Sequence, residues 1–295
     1  MNVYKLSAAI AATLWGLTYI VSATLLPHNP WFIGCVRSIL GALPLFLITR
    51  ELPPLHFVPK LIMLGTLNTG LFFGLLFISA LRLPGGIAGT FQAMSPLFSI
   101  LLVWLLIGQR PTRAKVLSLV IGALGVALVL LKGNVILDPV GVAAALGSAL
   151  SVACGGVLLQ KWGQPMSLTG FTAWLLLVAG LELAVASLAL GDVPPSLTTN
   201  NAIGLGIVAL ALTTVPFLLW FKAIKGEGAA GAIPFLLLTP IVAFILDGAI
   251  RGIVPTVLQA CGIALVISGL MVNVVASRRM MRPVAIQQGG NLARP

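Results

Sequence analysis

Charge is what this chain lacks. Of its 295 residues only 8% are charged, and six are acidic. A water-soluble domain of this length could not cover its surface with so little charge. Histidine is scarcer still: His28 and His56 stand in loops near prolines. No HExxH, no GxSxG and no Cys/His metal spacing occurs. An enzyme site, a metal and a cofactor are therefore not expected. The three cysteines, Cys35, Cys154 and Cys261, fall inside apolar runs and read as small packing residues. No glycine cluster carries the Lys-Ser/Thr of a phosphate loop, so a nucleotide-driven pump has no support.

What is present is hydrophobic, at 59% of residues and a mean hydropathy of +1.12. About 20 apolar residues at 1.5 Å rise cross a hydrocarbon core about 30 Å thick. Ten runs qualify: 4–26, 31–50, 59–80, 86–107, 113–131, 139–160, 168–190, 202–223, 229–249 and 254–275. They use nearly the whole chain and leave no soluble domain. The first run is too long for a signal-peptide core and carries Trp15 and Tyr19, so it counts as a span.

The net charge of +11 follows topology rather than nucleic acid. With a cytoplasmic N-terminus, thirteen Lys and Arg lie in inner loops and tails. Only Arg82, Lys132 and Arg251 lie outside. That asymmetry predicts both termini in the cytoplasm and contact with anionic lipid.

The second half repeats the first. Ala88, Pro96, Pro111, Thr112 and Gly125 have counterparts Ala232, Pro240, Pro255, Thr256 and Gly269, all at an offset of 144. Five spans per repeat is an odd number, so the copies are expected to be inverted. The expected fold is an all-α membrane protein with ten transmembrane helices in two inverted five-helix repeats. The first repeat covers 1–133 and the second 134–277, with a disordered cytoplasmic tail over 278–295. Inverted repeats are the common framework of carriers with a central site.

Polar residues inside spans mark candidate sites. Ala88, Gln92, Ser95 and Ser99 share one helical face, with Pro96 beside it. Pro96 and its counterpart Pro240 are expected kink and gating points, because proline frees a carbonyl one turn back. A helix–helix seam explains the stripe equally well; the matching Thr239-Pro240 tips the balance toward a cavity. Trp15, Tyr19, Asn68, Phe72, Gln92, Ser95 and Thr239 are the expected lining of a site for a small amphipathic solute. Trp31 and Trp220 lie nearer span ends, where aromatics form interfacial belts.

Arg37 and Glu182 are ionisable groups at similar depth, and such groups are functional candidates by default. Three roles stay open: a pair with each other, proton coupling through Glu182, or snorkelling. A structural or gating role is preferred to coupling. Asp247, at the outer end of its span, is expected to meet water.

Trp15-Gly16, Arg37, and Pro96-Leu-Phe-Ser-Ile-Leu-Leu-Val-Trp-Leu-Leu-Ile-Gly108 followed by Pro111-Thr112 resemble the EamA repeat of the drug/metabolite transporter superfamily. The resemblance covers about 8–131 and 140–275. Gln109 departs from the Glu common there, which leaves that Glu's role unsupported here. The resemblance implies alternating access in a bacterial inner membrane. The Gln92-Ala-Met-Ser-Pro96 stretch is most similar to YddG-type exporters of aromatic and other neutral amino acids. The expected partners are a small-molecule solute and membrane lipid, not nucleic acid; a monomer is compatible, and oligomeric state stays open. A lipophilic-drug exporter is the alternative within transport. A channel would need an uninterrupted polar ring, and a membrane enzyme a catalytic cluster.

Overall fold

The computed structural model describes residues 2–130, 137–194 and 196–290. It is helical throughout those segments. Ten helices are long and apolar enough to span a bilayer. We number them α1 (Val3–Thr24), α2 (Pro30–Ile48), α3 (Leu55–Arg82), α4 (Gly85–Ile107), α5 (Arg113–Leu130), α6 (Pro139–Trp162), α7 (Leu168–Ala189), α8 (Thr199–Gly228), α9 (Ile233–Arg251) and α10 (Val257–Ala276). The helix of α10 continues to Gly290, over a stretch whose composition suggests disorder. Arg278-Arg-Met-Met-Arg282 are good helix formers, which average polarity conceals. Residues 291–295, and most of the 132–138 join between repeats, lie outside the described residues.

The helices end where local chemistry stops them. Asn2, Asp138, Ser167 and Thr198 accept backbone N–H bonds at the starts of α1, α6, α7 and α8. Gly108 and Gly252 end α4 and α9 in left-handed conformations, with φ of 80° and 66°. These two glycines are again 144 apart. Outside the spans, the Arg82 guanidinium, 2.7 Å away, holds the Asp138 carboxyl below the usual carboxylate range. Large apolar side chains cover the exterior: Leu47 is 80% exposed and Leu188 73%, as lipid-facing residues are.

Packing makes the inversion explicit. We call the face where α1 begins the terminal face and the other the distal face. Each of α2, α4 and α5 packs antiparallel on its own copy. On α2 and α7, Gly34 meets Leu183 while Gly180 meets Ile39. On α5 and α10, Gly125 meets Gly262 and Val266 while Gly269 meets Ser118 and Gly122. On α4 and α9, Gly86 meets Phe244 while Gly89 meets Pro240. A helix antiparallel to its repeat is what inversion requires. Adding a Cβ to Gly125 would bring it within 2.6 Å of the Gly262 carbonyl, so glycine lets these backbones touch.

Two groups of three helices result. In one, α3 and α4 pack on α6; in the other, α8 and α9 pack on α1. Each helix of one group is the repeat copy of a helix in the other.

Candidate functional site

Both proline sites break their helices. The first turns of α4 run Gly85–Gln92, and a new helix starts at Ser95 with Pro96 in its first turn. In α9 a tight segment, Ile233–Leu237, gives way to a regular helix at Leu238, with Pro240 in its first turn. Proline tolerates a helix start but not an interior, so each proline fixes where the second piece begins.

Among the described residues the two groups pack closely at one face. At the distal face the first piece of α4 packs on α9 and α1, and the distal half of α3 packs on α1. The repeat-related contacts would join the start of α9 to the second piece of α4, and α6 to α9 and the end of α8. Among the described residues no comparable packing joins them. Among the described residues the groups are therefore joined at the distal face and show no comparable packing toward the terminal face. The half-buried stretches 95–96 and 234–239 lie at the two helix breaks, below the join.

The α1–α8–α9 group carries an aromatic cluster. Trp15 is half-buried, with its ring 5.7 Å from Phe217 and 5.4 Å from Trp220. Trp220, expected in the interfacial belt, thus belongs to this cluster; α1 and α8 run antiparallel, which brings two distant tryptophans to one depth. The α3–α4–α6 group carries a polar pair, of which Ser148 is fully buried. Ser148 of α6 donates to Gln92 Oε1 at 2.5 Å, at the break in α4. Ser148 is missed by sequence reasoning, because nothing in Gly147-Ser148-Ala149 distinguishes it from a small packing residue.

Other expected lining residues serve as joints. Tyr19 is buried at 3% exposure; a Cβ on Gly85 would come within 2.6 Å of it. It belongs to the distal join rather than to an open lining. Asn68 donates to the Leu64 carbonyl at 3.0 Å and fills the notch left by Gly155 of α6. It lies in a wide turn, Thr66–Gly70, that unsettles the regular ladder. Phe72 leans on Phe73, 5.1 Å between rings. Thr239 donates to the Ala12 carbonyl at 3.0 Å and ties α9 to α1. Ser95 is half-buried, and its carbonyl accepts the Ser99 hydroxyl at 3.0 Å.

Arg37 and Glu182 do not pair. Arg37 is buried and donates through Nε to Thr213 at 2.8 Å and through Nη2 to the Leu212 carbonyl at 3.2 Å. Leu212 lies in a wide-turn segment, Ile207–Thr214, just before Pro216, which has no N–H to give four residues on. The guanidinium also lies 4.3 Å from the centre of the Phe73 ring. Glu182 instead accepts the Thr66 hydroxyl at 2.6 Å and sits over Gly70 of α3, half-buried. Arg37 thus makes its hydrogen bonds to α8 and its ring contact with Phe73 of α3, whereas Glu182 meets α3 at Thr66 and Gly70. Asp247 also departs from expectation: it is 2% exposed and accepts the Gly86 N–H at 2.9 Å.

Comparison with known proteins agrees with this architecture. The model of the EamA-like transporter family matches residues 4–131 and 139–275, one match per repeat. Protein PecM of Dickeya dadantii is 28% identical over 94% of this chain and 95% of its own length. A probable amino-acid metabolite efflux pump of Escherichia coli K12 is 26% identical over 92% of this chain and 94% of its own. The inner membrane transporter YedA of the same strain is 25% identical over 81% of this chain and 80% of its own. A crystal structure covering 94% of this chain aligns with a TM-score of 0.65 at 17% identity, which shows the fold alone.

Proposed function

The chain belongs to the EamA-like transporter family, and from that premise we propose that it exports small amphipathic metabolites, among them aromatic and other neutral amino acids. It is a multi-pass membrane carrier and not an enzyme. The solute would enter between the two groups from the terminal face. The observation that carries this reading is an aromatic cluster on one group and a half-buried amide on the other. Trp15, Phe217 and Trp220 offer an aromatic surface, and half-buried Gln92, held by the buried Ser148 hydroxyl, offers an amide. Few convergent polar groups on an apolar wall suit a solute with one apolar and one polar end. No carboxylate stands among these residues, which disfavours cationic drugs.

The similar efflux pump lends the amino-acid class some support, at 26% identity. Charge asymmetry and the similar inner membrane transporter support a bacterial inner membrane with the terminal face cytoplasmic. Pro96 and Pro240 would then be the points about which the groups rock.

Counterflow in proteoliposomes tests the reading. Liposomes loaded with unlabelled phenylalanine, tyrosine or leucine should accumulate the labelled amino acid transiently. Trp15→Ala and Gln92→Ala should each weaken that accumulation. Flat traces for every neutral amino acid from folded protein would overturn the solute class and leave the fold untouched.

A further inference from the structure

The distal join is held by a buried carboxylate. Gly85 and Gly86 open α4 without side chains, and a Cβ on Gly86 would overlap the Phe244 ring. Into this contact α9 brings Asp247, which shares one helical face with Pro240 and Phe244. Its Oδ2 accepts the Gly86 N–H at 2.9 Å, and its Oδ1 meets Arg251 at 3.3 Å. Gly86 N–H is one of the first-turn donors that no helix satisfies by itself, and the helix start favours negative charge. A carboxylate buried at 2% exposure is costly in a span unless it is so partnered.

The repeat shows what is missing elsewhere. At the 144-residue offset Asp247 corresponds to Val103, Phe244 to Ile100 and Gly86 to Ala230. On the terminal face α4 therefore brings no carboxylate to the start of α9; the carboxylate that does stand near that start, Glu227 of α8, pairs with Asn2 and Lys5 inside its own group. We propose that Asp247 is a one-sided latch: it holds the distal face shut and sets the carrier's resting state open toward the terminal face. Transport would then require solute binding to offset this latch before the distal face opens. The proposal rests on the carrier function and not on the amino-acid reading.

Thiol accessibility tests it without any solute. In full-length protein with Cys35, Cys154 and Cys261 replaced by Ala, a reporter is placed either at buried Ala88 of the join (A88C) or at half-buried Ala93 (A93C). Maleimide labelling rates are measured in detergent. Asp247→Asn keeps the shape and removes the charge. It should speed labelling at the join reporter about fivefold, the loss of a charge-assisted bond in exchange for a neutral one, and slow it at position 93. Val103→Asp, which supplies the missing carboxylate, should shift both rates the same way. Unchanged rates at both reporters, or rates that rise together as in general loosening, would overturn the latch. Cooperative melting of each variant separates loosening from failure to fold.

Discussion

The distal and terminal ends of the α4–α9 pair are built from repeat-related residues, yet among the described residues only the distal end is closely packed. At the distal end Gly85, Gly86 and Gly89 let α4 lie against Tyr19, Pro240 and Phe244. At the terminal end the counterparts by sequence are Ala229, Ala230 and Ile233, and those of Pro240 and Phe244 are Pro96 and Ile100. Larger side chains at these three positions and the lack of one carboxylate are the visible chemical differences. Two states of an inverted-repeat carrier are near mirror arrangements of the same contacts. A bias of only about 1–3 kcal/mol decides which one dominates, and one charge-assisted bond supplies that.

Substitutions at the sealed end should change which face opens, and those at the parted end should change what binds. The largest effect is expected at Gly86→Leu. Its side chain would overlap Phe244, so the join must separate or strain by about 3 kcal/mol. Thermal melting should fall and the join should become labile to thiol reagents; an unchanged melting curve would show that the helices do not touch there. Next comes Arg37→Met, behind the seal. It takes the guanidinium donor from the Leu212 carbonyl and should cost about 2 kcal/mol by denaturant titration. A neutral or stabilised variant would mean that relief from burying the guanidinium cancels that loss.

At the parted end, Trp15→Ala should weaken binding of an aromatic amino acid about tenfold, or about 1.4 kcal/mol, with little change for small amino acids. Equal losses for both would point to a collapsed aromatic wall instead of a lost contact. The smallest effect is expected outside both ends. Glu182→Gln keeps an acceptor for Thr66, so transport and its pH profile should stay within about a factor of two. A flattened pH profile would instead make Glu182 a coupling group.

Much of this is legible in the linear chain, and the reason is locality. Hydropathy over about 18 residues or more is a property of a segment, so all ten spans can be marked. Proline breaks its own helix, so Pro96 and Pro240 point to the two breaks. Partners are not legible. Thr239 reads as facing a solute and instead binds Ala12, on a helix of the other repeat. Gln92 stands out by its place on a polar stripe, but Ser148 has no mark of its own. Arg37 and Glu182 match in depth, yet depth says nothing about which way a side chain points around a helix axis.

The amino-acid sequence by itself determined the number of helices, their inverted duplication, the sites of their breaks and the membrane as solvent. Each follows from rules that act within one helix or from counting helices. Only the tertiary structure decided that, among the described residues, it is the distal ends that pack closely. It also decided that Asp247 is buried in that closure and not in water. A polar group in a span finds its partner on another helix, and the choice between two mirror arrangements depends on contacts between distant parts of the chain, such as Gly86 with Asp247.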